Sequence, residues 1–149
     1  MTELAAANGA ERTQALLKLT QRLTALIEEE TRLFKARRPH EAVELQTEKS
    51  ELANIYRAEV ARARQEPGRF SGAPEPAKTL LREATKTFHT ALDENGQVVN
   101  AMKRVTEGVV KAIADEAARQ RTAGSSYGPG AARPTSQPNG FALAVNRTA

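Results

Sequence analysis

Residues 76–121 read PAKTLLREATKTFHTALDENGQVVNAMKRVTEGVVKAIADEAARQR, and one repeat runs through them. Leu81, Thr85, Phe88, Leu92, Asn95, Val99, Met102, Thr106, Val109 and Ile113 alternate steps of four and three. That spacing keeps a seam of side chains on one side of an α-helix. Pro76 suits the opening turn, where its missing N–H costs nothing. Asn95-Gly96 is a candidate break, since glycine favours the position just past a helix end. The seam keeps its phase across that pair, which a turn has no reason to preserve. The pattern therefore predicts one continuous helix that tolerates a cost of about 1 kcal/mol at Gly96. A fold-back at Gly96, closing a four-helix bundle, is the alternative.

Two further helices precede it. From Glu11 to Ala36, Leu16, Leu19, Leu23, Leu26, Ile27, Leu33 and Phe34 recur at helical spacing with no Gly or Pro between them. Pro39 disfavours helical geometry in Arg38 and suits the start of a new helix. A second periodic segment then places Val43, Leu45, Leu52, Ile55, Tyr56 and Val60 on one side and ends near Gln65. The short connection predicts an antiparallel hairpin, with Leu16 near Val60, Leu19 near Tyr56, Leu23 near Ala53 and Glu30 near Gln46. Glu30 falls on the seam and Lys49 within a turn of it, so a polar layer of Glu30, Gln46 and Lys49 is expected to compensate the charge and fix the register.

Composition sets limits on function. Aromatic residues are 4% of the 149, tryptophan is absent, and much of the 40% hydrophobic fraction is alanine, as suits packed helices. With no cysteine there is neither a disulfide nor a thiolate metal site. No apolar run is long enough to span a bilayer, and MTELAAANGAER lacks the features of a secretory leader, so a cytoplasmic protein without stable membrane insertion is expected. The net charge of +4 is shared between the helical body and the tail. Arg37/Arg38, Arg62/Arg64, Lys103/Arg104 and Arg119/Arg121 are interleaved with acids and lack a stacking aromatic, which argues against nucleic acid as a partner.

Catalytic motifs are missing. There is no glycine-rich phosphate loop, nucleophile elbow or paired-histidine metal motif, and no cofactor is implied. His40 and His89 are the two histidines. His89 raises the idea of a helical phosphotransfer domain, but Asp93 follows one turn on and the usual Lys-Gly after the histidine is absent. Asn146-Arg147-Thr148 matches a glycosylation sequon and reads as coincidence in a cytoplasmic protein. A non-enzymatic binding protein is the expectation.

Length points to a surface. The first two helices, each of roughly 26 residues, would span about 40 Å, and roughly 46 residues of the third about 70 Å. The third helix should then outrun the hairpin near Met102 and leave Val105, Val109, Val110 and Ile113 as an uncovered apolar stripe for a partner or a second copy. Beyond Thr122 the chain carries no acid and only Arg133 and Arg147, with Pro and Gly throughout. A disordered tail over 122–149 is expected, and its alternating tip Phe141, Leu143, Val145 is either a weak self-ligand for the stripe or a second docking element.

The stretch LTALIEEETRLFKARRPHEAVELQTEKSELANIYRAEV (23–60), a long third helix with Asn95 on its seam, SSYGPGA (125–131) and the closing ALAVNRTA (142–149) together resemble the FlgN-type flagellar export chaperones. The resemblance implies a cytosolic, ATP-independent chaperone that binds C-terminal helical segments of hook-filament junction proteins and delivers them to the flagellar export gate. It would give client capture to Val105, Val109, Val110 and Ile113 and gate docking to Tyr127. The expectation is an all-α protein with a flexible start (1–10), a helical domain (11–121) and the tail. It should be a monomer or weak homodimer, the alternative being a structural coiled-coil dimer.

Overall fold

The computed structural model describes residues 4–125. Three α-helices make up the described chain, α1 (Gly9–Lys35), α2 (Gln46–Gln65) and α3 (Glu75–Ser125), with a 3-10 segment, Pro39–Leu45, ahead of α2. The chain divides into two units, Met1–Arg104 and Val105–Ala149.

In the first unit α1 is the most deeply buried element. Helix α1 begins two residues before the expected Glu11, because Asn8 caps it: its Oδ1 accepts the Glu11 N–H at 2.9 Å. Glu11 Oε2 in turn accepts the Ala7 N–H at 2.8 Å, so one orphan donor of the helix and the N–H just ahead of the cap are both satisfied locally. Gly9 is buried where the chain crosses itself: a Cβ there would lie 2.0 Å from the Ser71 carbonyl oxygen. Leu16, Leu17, Leu19, Leu23, Leu26, Ile27 and Leu33 are buried, and so are Thr13, Thr20, Thr24 and Thr31. Each of these threonine hydroxyls donates to the carbonyl four residues back, so small polar side chains sit inside without an unpaired group.

The end of α1 is a Schellman turn. Arg38 N–H donates to Leu33 O and Arg37 N–H to Phe34 O, with Arg37 at φ 59° in the left-handed region that glycine usually occupies. The chain after it departs from expectation. Helix two was expected to start at Pro39; residues 39–45 instead form the 3-10 segment, and α2 proper has 20 residues. The tighter winding points Ala42 inward at 2% exposure and turns Val43, expected on the packed side, out to 67%. Two of the expected hairpin pairs are formed: Ala53 packs on the cluster containing Leu23, and Gln46 reaches Glu30.

Helix α3 is continuous through Gly96. Its seam within the first unit differs from the expected one at alternate positions. Leu81, Phe88, Asn95 and Met102 face inward as expected and Thr85 is half-buried beside Ala84, but Ala91 and Val98 complete the repeat rather than Leu92 and Val99. Ala91 is 5% exposed, whereas Leu92 and Val99 are both 41% exposed. Ala91 packs with Leu23 and Ile27 of α1, while the larger Leu92 beside it lies on the flank. Phe88 and Ala91 join Leu23 and Ile27 in the core, covered by Leu52, Ala53 and Tyr56; the Phe88 and Tyr56 rings lie 4.9 Å apart, tilted by 56°.

Candidate partner-binding surface

Two buried carboxylates are the natural places to look for chemistry, and both are fully engaged. Glu30, on α1, is 3% exposed. Its Oε2 accepts from Gln46 Nε2 and Lys49 Nζ, each at 2.5 Å, and its Oε1 from Asn95 Nδ2 at 2.9 Å. The expected polar layer therefore exists and has a fourth member from α3; Asn95 also donates to Thr31 Oγ1 at 3.1 Å. Burial pushes the Glu30 carboxyl up, but hydrogen bonds from Lys49, Gln46 and Asn95 outweigh it and hold the group below the usual carboxylate range.

The second, Glu59 on α2, is 1% exposed and was not picked out from sequence. Arg69, in the loop before α3, grips it with two donors at 2.9 and 3.1 Å, and Arg62 adds a longer contact at 3.4 Å. The Arg69 hydrogen bond leads the forces that hold Glu59 below its ordinary range, and Glu59 holds Arg69 above its own. Both carboxylates are ionised structural ties, already saturated with donors. Among the described residues no cluster of His, Asp or Glu could hold a metal ion. His89 is exposed beside Phe88, with ring centres 5.9 Å apart. A shallow depression of about 180 Å³ is lined by Glu28, Thr31, Arg32, Lys35, Ala91 and Glu94, and the Lys35–Glu94 ion pair lies along it.

The second unit offers a different kind of surface. Its described part, residues 105–125, is the C-terminal stretch of α3, and every residue from 105 to 124 is exposed. Val105 is 67%, Val109 54%, Val110 42% and Ile113 65% exposed. By spacing, Val105 follows Ala84, Ala91 and Val98 at sevens, and Val109 follows Leu81, Phe88, Asn95 and Met102. The positions that carry the core in the first unit thus recur here with large aliphatic side chains open to water. Met102 belongs to the first unit, where it is half-buried. Tyr127, Phe141, Leu143 and Val145 lie outside the described residues. Leu80, Leu92 and Val99 are further exposed aliphatic groups on α3 that sequence reasoning did not assign to a surface. No described helix is long and apolar enough to cross a membrane.

Over 147 residues, 98% of this chain and 99% of the other, the sequence is 39% identical to the flagellar basal-body protein FlbY of Caulobacter vibrioides. No family model matches the chain. No solved structure matches it either.

Proposed function

This chain belongs to the family of the flagellar basal-body protein FlbY, and from that premise we propose that it serves flagellum assembly as a cytosolic export chaperone. In this reading it captures the C-terminal helical segment of a hook-filament junction protein and hands it to the export gate. The chaperone role and the client come from the FlgN-type resemblance, and FlgN-type membership is itself part of the proposal.

The observation that carries the reading is the exposed row Val105, Val109, Val110 and Ile113. Aliphatic side chains at helical spacing, unburied in the free protein, are how one amphipathic helix receives another. A binding role also fits the saturated state of the two buried carboxylates, which leaves neither as a general acid or base.

Capture of a junction-protein C-terminal segment by wild-type chain and by V109D/I113D tests it. Each buried aliphatic side chain is worth roughly 1.5 to 3 kcal/mol, so binding should fall at least a hundredfold while the helical signal persists. A folded double variant that captures the segment at wild-type strength overturns the assignment. The unbroken heptad spacing into residues 105–113 favours one second reading, a coiled-coil dimer. Sedimentation of the full chain separates the two: a tight dimer that client does not dissociate supports the structural role.

A further inference from the structure

We propose that Phe141, Leu143 and Val145 of the same chain occupy the Val105–Val109–Ile113 row when no partner is bound, so that the tail shields its own binding surface. The inference rests on the reading of that row as a binding surface and is independent of which client fills it.

Spacing is the first argument. Ile113, Val109 and Val105 follow one another at four-residue steps, about 6 Å each along the helix axis, and form one ridge of the helix surface. Phe141, Leu143 and Val145 alternate with Ala142 and Ala144. In an extended chain, alternate residues share a face and lie about 6.7 Å apart. Three apolar groups of the tip therefore match three on the helix almost step for step, with the alanines facing away.

Reach is the second. The chain between Ser125 and Phe141 is SYGPGAARPTSQPNG, 15 residues. A linker of that length spans about 21 Å on average. Ile113 lies twelve residues before the end of α3, or about 18 Å along the helix. A tail that turns back at Ser125 thus brings Phe141 to Ile113, with Leu143 and Val145 following toward Val109 and Val105. A tether matched to its span supplies an effective concentration on the order of millimolar. A contact too weak to matter between separate molecules then forms within one, and a client helix still displaces it.

The chain has no cysteine, so Ser136→Cys gives a single spin-label site. Paramagnetic broadening of the Val105, Val109, Val110 and Ile113 methyls is then read in the free full-length protein. Broadening is expected, unchanged on dilution, and markedly weaker in both F141S/L143S/V145S and V109D. No broadening overturns the proposal, as does broadening that the triple serine change leaves undiminished. Broadening transferred from a spin-labelled chain to an unlabelled one also overturns it, and assigns the row to a second copy. The apolar dye anilinonaphthalene sulfonate gives an independent readout. If the tip covers the row in half to nine-tenths of molecules, F141S/L143S/V145S should tighten dye binding about two- to tenfold; unchanged dye affinity counts against occupancy. Neither readout uses a client, so failure here leaves the chaperone reading standing, and failure of capture leaves this contact standing.

Discussion

The two stretches of α3 carry one spacing and opposite surroundings. In the first unit, Phe88 at a seam position is 4% exposed; in the second, Val109 at the same heptad position is 54% exposed. Phe88 packs on Leu23 and Ile27 and meets the Tyr56 ring. A hydrophobic period thus specifies which face of a helix is to be covered, and the identity of the cover is a separate question. In the first unit the cover is α1 and α2. Over residues 105–113 the same pattern lies open, which is why it is the better place to look for function.

Truncation at the two positions is the sharpest way to break this comparison. Phe88→Ala should cost about 3 to 5 kcal/mol, because it removes an aromatic side chain from a closed cluster. Val109→Ala should stay within about 0.5 kcal/mol. Urea unfolding of both variants measures the difference, and equal losses would mean that the second stretch is core as well.

Acid should act on the first unit. The carboxyl groups of Glu30 and Glu59 are both held below their ordinary range in the folded state. Groups of this kind contribute stability that is fully present above the unfolded carboxylate pKa, about 4.3. That contribution is lost as pH falls through the lowered folded values. Unfolding midpoints should therefore be flat at neutral pH and drop below about pH 4, and Glu59→Gln should shallow the drop. A midpoint independent of pH down to 3 would show that neither carboxylate is tied as described.

Gly9→Ala should follow, at about 1 to 3 kcal/mol of destabilisation. The added methyl would stand 2.0 Å from the Ser71 carbonyl oxygen, and a backbone atom cannot swing aside as a side chain can. A thermal transition unmoved by Gly9→Ala would place the 70–71 loop away from α1.

What could be read beforehand follows from these contrasts. The hairpin, the Glu30–Gln46–Lys49 layer and the continuity of α3 through Gly96 were legible because each rests on spacing along a regular helix. The 3-10 segment was not, since Pro39 suits the first turn of either helix type and Val43 and Ala42 differ by a single position. The seam was misplaced by one residue at alternate steps for a related reason. Leu92 is more hydrophobic than Ala91, and Val98 and Val99 are the same residue, so hydrophobicity alone does not mark the inward position. Glu59 and Arg69 are ten residues apart across a loop, and no local pattern links them. Gly9 was hidden because its neighbour, Ser71, is distant in sequence. Of the proposed surface, Val105, Val109, Val110 and Ile113 were named from the sequence. Their exposure agrees with the expectation, although α2 has fewer residues than the length comparison assumed.

Glycine gives a finer comparison between the two stretches. Neither Gly96 nor Gly108 has an atom within 4 Å of the position a Cβ would take. Each change to alanine should therefore gain about 1 kcal/mol of helix propensity. Gly96→Ala should raise the global melting temperature by roughly 4 to 8 °C, since the first unit unfolds as a body of about a hundred residues. Gly108→Ala should slow amide exchange around residues 105–112 and leave that temperature nearly unmoved, because its gain belongs to local opening. A melting shift from Gly108→Ala as large as that from Gly96→Ala would make the two stretches one cooperative unit.

The smallest expected effect discriminates most. V109D/I113D places two charges at positions that are 54% and 65% exposed. Asp and Val have similar helix propensities, and at these exposures a carboxylate keeps most of its hydration. The change in global stability should therefore stay within about 0.5 kcal/mol, the range of ordinary surface substitutions. An aliphatic row packed inside its own protein behaves otherwise, because two ionised groups would have to be buried without partners. Urea midpoint and helical circular dichroism of the double variant decide between these cases. A near-wild-type midpoint keeps Val109 and Ile113 free for a partner, and a loss of several kcal/mol or of helical signal would move them into the core and remove the surface on which the chaperone reading depends.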